Sequence, residues 1–183
     1  VLQMGNWKAP YGISLTVDLF SAIMMSLGSL VSFVVVLYTF LMENQDDEHS
    51  FRMPLVFFLL AGMNMSFSTG DLFNLFVAFE VLLISSYALM SLEGSRLSVR
   101  QSLPYLMINL IGSFLFLIAA AYCYGFLGTL NFADIALKAS SHIYDPRMTT
   151  LCILLLVVFG IKSGMFPLYY WLPKSYPSLP TPI

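Results

Sequence analysis

The stretch that decides the fold is Leu72-Phe-Asn-Leu-Phe-Val-Ala-Phe-Glu80-Val-Leu-Leu-Ile-Ser-Ser-Tyr-Ala-Leu-Met-Ser-Leu92. Apart from Asn74, three serines and Tyr87, it is apolar, and it carries a single charge, Glu80. A bilayer core about 30 Å thick needs about 20 such residues per helix, with about 17–25 tolerated. In lipid every backbone N–H and C=O must be satisfied internally, so the segment reads as a transmembrane helix and not a strand.

Working outward, the same test finds four more segments. They run from about Asp18 to Met42, Met53 to Ser68, Leu103 to Leu127 and Leu151 to Trp171. The second is short. No soluble domain fits between them, so residues 18–173 read as one all-α polytopic membrane domain. It is preceded by an extramembrane segment, 1–17, and followed by a connector, 174–183, that reads as truncated. The missing start methionine and the Pro180-Thr-Pro-Ile183 end lead to the expectation that the chain is a fragment.

The bulk numbers agree. Hydrophobic residues make up 58% of the chain and charged residues 10%, with a mean hydropathy of +0.83. A soluble domain averages about 25% charged residues, so the solvent for this surface must be mostly lipid. A net charge of −2 gives no reason to expect a nucleic-acid partner. Cys123 and Cys152 each fall in an apolar run, without Cys or His neighbours at metal spacing, and read as packing residues. With no zinc, iron–sulfur, GxGxxG or Walker pattern, no metal, cofactor or nucleotide is expected.

The connectors are short. Glu43-Asn-Gln-Asp-Asp-Glu-His49 reads as a solvated acidic turn, and Thr69-Gly70-Asp71 as a hinge. Asp18 and Asp71 stand where a helix cap belongs. The longest connector contains Leu130 to Leu137, which fits a helix lying at the membrane interface. Glu93, His49 and His142 fall in connectors and read as solvated. Arg52, Arg96 and Arg100 collect on one side, against Lys8, Lys138 and Arg147 on the other. The tie is broken only by their closeness to helix ends, which favours the first set as cytoplasmic.

Small residues recur at helical spacing: Ser21, Gly28 and Ser32; Gly62 and Ser66; Tyr105, Asn109 and Ser113. In lipid, close backbone approach and interhelical hydrogen bonds hold helices together, so these read as packing positions without a transport role. Trp171 with Tyr169 and Tyr170 reads as an interfacial aromatic belt.

Two charges violate the lipid rule. Glu80 lies about 3 Å from its helix midpoint at the usual rise per residue. A lone acid there costs about 2.5–3.5 kcal/mol on insertion. Phe76, Val77, Leu83 and Ile84 cannot solvate it, so its partner must be on another helix or be trapped water. Lys162 falls one residue from the centre of the last segment, in Phe159-Gly160-Ile-Lys162-Ser-Gly164-Met-Phe-Pro167. Gly160, Gly164 and Pro167 predict a broken helix beside the lysine, and interrupted helices at mid-membrane mark ion sites. A static buried salt bridge is the bland alternative, but such bridges stabilise weakly. At about 4 Å two unit charges attract by about 4 kcal/mol for an effective dielectric of about 20. A lysine whose proton is held by that attraction, and freed when the pair opens, is a usable proton gate.

These residues carry a resemblance. Thr69-Gly-Asp-Leu-Phe-Asn-Leu-Phe-Val-Ala-Phe-Glu80-Val with Ser85-Ser-Tyr87, and Phe159-Gly-Ile-Lys162 through Trp171-Leu-Pro173, closely resemble signatures of one family. It is that of the antiporter-like subunits of respiratory complex I and of Mrp-type Na⁺/H⁺ antiporters. Trp7-Lys-Ala-Pro-Tyr-Gly-Ile13 and Tyr124-Gly-Phe-Leu-Gly-Thr-Leu-Asn131-Phe-Ala-Asp134 are most similar to the D subunits of the Mrp branch.

The resemblance implies about fourteen helices arranged as two inverted five-helix repeats, each with a broken helix. The five segments here would be one repeat, with Glu80 and Lys162 as its ion-translocating pair. Further charged residues of the relay would lie beyond Ile183, so this stretch would hold half a pathway. The implied protein is a plasma-membrane subunit of a monovalent cation/proton antiporter. Its partners would be the other Mrp-type subunits, the lipid bilayer, H⁺ and Na⁺. It would not itself be an enzyme. The alternative is a proton-pumping subunit of a complex I-like NADH:quinone oxidoreductase or a related hydrogenase.

Overall fold

A computed structural model of the chain describes residues 1–42, 51–92 and 96–175. The acidic turn Glu43–His49, Glu93 and most of the terminal connector lie outside the described residues. The rest is an all-α membrane fold with a small hairpin at its start. β1 (Leu2–Gln3) pairs antiparallel with β2 (Ser14–Leu15). The helices are α1 (Leu19–Met42), α2 (Arg52–Ser68), α3 (Leu72–Ser91), α4 (Arg96–Leu127), α5 (Phe132–Ser140), α6 (Pro146–Lys162) and α7 (Trp171–Ser175).

Among the described residues, Leu19–Leu41, Leu72–Ser91 and Ser98–Leu127 are long and apolar enough to cross a membrane. The other two expected spans, α2 and α6, have 17 residues each. α1 packs on α2, α2 on α3, and α4 takes α3, α6 and α7. The core lies where α3, α4 and α6 meet, around Leu72, Phe116, Ala120, Cys123, Leu151 and Val158. Phe116 is fully buried, with its ring edge-on to Phe76 and Phe159 at 5.9 and 5.7 Å between centroids. Such edge-to-face pairs suit the ring quadrupole. By contrast α1 leaves Phe20, Leu30, Phe33 and Phe40 exposed.

The small residues set the spacing. A Cβ on Gly62 would stand 3.1 Å from the Leu82 backbone nitrogen and 3.2 Å from the Ala78 carbonyl oxygen, so α2 touches α3 backbone to backbone. A Cβ on Gly112 would stand 3.0 Å from Ile161 Cγ2, which marks the same close approach between α4 and α6.

Several boundaries differ from the sequence reading. α4 begins by Arg96, before the expected start at Leu103. Hydropathy sees only the apolar part, whereas Arg96 to Ser102 are tolerable helix formers that extend beyond it. α6 begins at Pro146 and ends at Lys162, in place of a span from Leu151 to Trp171. Pro146 suits the first helical position, where its missing N–H is no loss, and Asp145 caps that end by accepting from Arg147 N at 2.8 Å. The caps expected of Asp18 and Asp71 are present: they accept from Ser21 N at 2.7 Å and Asn74 N at 2.9 Å. The stretch expected at the interface forms α5, capped by Asn131, whose side chain accepts from Ala133 N and Asp134 N.

One feature has no sequence signal. Residues 14–16, the turn 68–72 and the loop 130–132 are laced together by main-chain bonds. Thr16 N donates to Ser68 O (2.7 Å), Gly70 N to Ser14 O (2.8 Å), Leu72 N to Leu130 O (2.8 Å) and Phe132 N to Gly70 O (2.9 Å). Asn131 Nδ2 adds a bond to Ser14 Oγ at 2.6 Å. This clasp ties the N-terminal segment to the end of the bundle where α3 starts.

Candidate functional site

Glu80 lies in the middle of α3, whereas Lys162 stands at the end of α6 and not at the centre of a span as the sequence suggests; the fold brings the two charges together. Lys162 Nζ lies 4.0 Å from Glu80 Oε1, with the side chains 13% and 25% exposed. That is ion-pair range but too long for a hydrogen bond. Glu80 Oε1 is buried and, among the described residues, accepts no hydrogen bond.

The lysine stands at the last residue of α6 because the helix stops there. Gly164 takes a positive φ of 64°, a left-handed conformation that glycine adopts without a Cβ penalty. Met165 N returns to Gly160 O at 2.9 Å, and the chain then folds back over the helix. A Cβ on Gly160 would meet Met165 Cε at 3.3 Å and Leu168 Cδ1 at 3.4 Å, so the fold-back lies close against that glycine. The break therefore falls at Gly164, and Pro167 belongs to the loop that follows it.

That loop delivers Trp171 to an unexpected place. The sequence alone puts it in an interfacial aromatic belt. Instead Trp171 is only 4% exposed, and its indole Nε1 donates to Ile161 O at 3.1 Å. The bond gives a second donor to this carbonyl, which lies in the last turn of α6 beside Lys162 and also accepts from Gly164 N at 3.3 Å. Its ring lies edge-on to Tyr105 at 5.3 Å between centroids. Hydropathy cannot anticipate this, because it treats 151–171 as one continuous rod. Tyr169 and Tyr170 do remain exposed.

Facing the lysine is a cavity of about 220 Å³, lined by Phe79, Leu82, Leu83, Ser86, Tyr105, Asn109, Lys162 and Trp171. It is roomy enough for several waters, and its polar groups give them partners. The sequence alone reads Tyr105 and Asn109 as packing residues; both line this cavity. Ser113, one turn further along α4, accepts a hydrogen bond from Lys162 Nζ at 2.9 Å. The spacing of Tyr105, Asn109 and Ser113 is the available signal, but it does not say which partner such a face meets.

The positive residues also sort by end. Arg100, Gln101, Pro104 and Lys174 share a cleft, and Ser175 Oγ donates to Gln101 O at 3.0 Å. Lys174 therefore joins Arg100. At the opposite end of α4, Lys138 Nζ donates to Leu127 O at 3.0 Å, and Arg147 lies 4.5 Å over the Phe126 ring.

The chain is similar to known proteins. Residues 69–183 match the family described as NADH:quinone oxidoreductase/Mrp antiporter, transmembrane. The chain is 47% identical, over 96% of its length, to the D subunit of the Na⁺/H⁺ antiporter of Alkalihalophilus pseudofirmus, of which it covers 36%. Among solved structures it is similar to a chain of the Mrp complex from Dietzia sp., with a TM-score of 0.86 and 32% identity over 98% of this chain and 33% of that one. It is also similar to a chain of an archaeal respiratory membrane complex, the membrane-bound sulfane sulfur reductase. There the TM-score is 0.89 and the identity 32%, over 98% of this chain and 37% of the other. The chain thus spans about a third of the length of the relatives it matches.

Proposed function

The chain belongs to the NADH:quinone oxidoreductase/Mrp antiporter family, and from that premise we propose that it forms one ion-translocating repeat of an Mrp-type antiporter protein of the D class. In this reading the parent is a plasma-membrane subunit of a monovalent cation/proton antiporter and works with the other Mrp-type subunits. It transports and does not itself catalyse redox chemistry. The single observation that carries the reading is the 4.0 Å approach of Glu80 and Lys162.

Three physical points support Glu80 and Lys162 as the ion-translocating pair. Charges this deep are rare and costly, and they serve function by default. The pair has not closed into a hydrogen bond, and the lysine bonds Ser113 instead, so tightening exchanges one acceptor for another. Lys162 also lines a cavity whose wall includes Ser86, Tyr105 and Asn109, so opening the pair turns its proton toward a place where water can take it. The left-handed turn at Gly164 and the loop through Pro167, folded back against Gly160, supply the irregular backbone that puts the lysine there. With Lys174 beside Arg100, the end that also holds Arg96 is the one we assign to the cytoplasm.

The test is complementation. The full-length parent, expressed in antiporter-deficient cells, should lose salt tolerance as Glu80→Gln and as Lys162→Ala while accumulating normally in the membrane. Unimpaired tolerance in both variants would defeat the assignment.

One observation favours a second reading. The TM-score of 0.89 to the sulfane sulfur reductase chain is no lower than the 0.86 to the Mrp chain. The same repeat would then pump protons in a redox-driven membrane complex, with the redox chemistry in partner subunits. Neighbouring reading frames separate the two: small Mrp-type subunits in one case, quinone-oxidoreductase or hydrogenase subunits in the other.

A further inference from the structure

Lys162 is hydrogen-bonded to a residue outside the charge pair. Its ammonium donates to Ser113 Oγ at 2.9 Å, whereas Glu80 Oε1 is 4.0 Å away and accepts from none of the described residues. An ammonium carries three donors on a flexible stem, and it can turn between acceptors a few ångströms apart. We infer that Ser113 is a positioning residue that provides the second seat of the Lys162 ammonium, holding it off Glu80 on the open side of the pair.

Three features of the fold make this seat specific. Ser113 is 4% exposed, so bulk water does not compete for its hydroxyl. Its neighbour Gly112 lets α4 approach α6 so closely that a Cβ there would stand 3.0 Å from Ile161 Cγ2. That approach brings the hydroxyl within reach of the last residue of α6. Ser113 also lies one turn from Asn109, which lines the cavity with Lys162. An ammonium on Ser113 is therefore beside water-accessible space, while one drawn onto Glu80 has turned toward α3.

The inference rests on the reading of Glu80 and Lys162 as the ion-translocating pair, and it adds a division of labour. Glu80 supplies the charge that attracts the lysine, and Ser113 supplies a neutral acceptor that competes with it. Without the hydroxyl, Glu80 is the acceptor left to the ammonium among the described residues, and the ammonium collapses onto that carboxylate. No covalent step is involved.

The test uses the full-length parent in membrane vesicles, with flux read beside expression and detergent-extracted thermal stability. Ser113→Ala should accumulate normally and lose about tenfold or more of the flux, as expected for removing a hydrogen bond to a charged group. Ser113→Thr, which keeps a hydroxyl, should retain most of the flux, while Ser113→Val, of the same shape as Thr without it, should not. Should Ser113→Ala fail to accumulate, the Thr and Val variants decide alone. Wild-type flux in Ser113→Ala, or equal loss in the Thr and Val variants, would overturn the seat, since packing and not the hydroxyl would then be at work. Glu80→Gln and Lys162→Ala run alongside: if they transport normally, the pair itself is wrong, whereas if they fail while Ser113→Ala transports normally, only the seat is wrong.

Discussion

Lys162 Nζ stands 4.0 Å from Glu80 Oε1, in ion-pair range yet outside hydrogen-bonding distance. The gap matters because a fully closed, hydrogen-bonded pair in low dielectric must lose several kcal/mol to open. Here the lysine already bonds to Ser113, so opening and closing exchange one acceptor for another. The backbone that fixes the gap is not set by the two charges. It comes from the break at Gly164, the bond from Trp171 to Ile161 O and the close contact of α4 with α6 at Gly112.

Trp171→Phe should destabilise the end of α6. It keeps an aromatic ring but removes the indole donor from Ile161 O, which retains the Gly164 N–H at 3.3 Å, so the loss is that of one hydrogen bond, about 0.5–1.5 kcal/mol. Thermal unfolding of the purified parent should show a lowered midpoint. Because Lys162 follows Ile161, flux should fall as well. An unchanged midpoint would mean that the Gly164 N–H suffices for this carbonyl.

Gly62→Val tests the contact between α2 and α3. Its side chain would press on the Leu82 nitrogen and the Ala78 carbonyl, which are backbone and cannot swing aside. Overpacking of this kind costs about 1–3 kcal/mol. Reduced accumulation and a lower unfolding midpoint are expected, with Gly62→Ala milder than Gly62→Val.

Asp71 separates a cap from an ion-binding acid. It is 6% exposed and accepts from Asn74 N at 2.9 Å. Asn is as good a cap as Asp, while Ala costs about 0.5–2 kcal/mol. Asp71→Asn should therefore keep near-wild-type stability and flux, and Asp71→Ala should lose stability. Loss of flux in a stable Asp71→Asn variant would instead give this acid a part in transport.

Asp145 gives a pH signature outside the membrane. The side-chain hydrogen bond from Arg147, reinforced by the Arg147 backbone N–H, holds its carboxyl below the usual carboxylate value. A group depressed on folding stabilises the folded state fully above its unfolded pKa. That contribution is lost as the pH falls through the lower, folded value. A carboxyl ¹³C titration should find Asp145 below the ordinary range, and Arg147→Gln should move it upward. An unmoved titration would remove this account of the α6 cap.

How much is legible in the sequence follows from what each residue does. Glu80 and Lys162 stand out because a charge within an apolar run violates a strong rule, and the fold needs only to bring them together. Gly160, Gly164 and Pro167 announce a break, though its position at Gly164 depends on one left-handed residue among several breakers. Ser113 is hidden, since a serine on an apolar helix looks the same whether it packs or holds an ammonium. Trp171 misleads for a related reason: its fate depends on a chain reversal that no periodicity records. The clasp of residues 14–16, 68–72 and 130–132 is mostly main-chain hydrogen bonding between distant segments, to which side-chain patterns are nearly blind.

The most direct test of the central claim is proton flux through the full-length parent carrying Lys162→Ala, followed with a pH-sensitive dye in membrane vesicles energised by an imposed ion gradient. If Lys162 carries the proton, flux falls at least about a hundredfold, the scale expected when a positioned proton-transfer group is removed, while the protein accumulates and assembles as wild type. Wild-type flux in a normally assembled Lys162→Ala variant would contradict it.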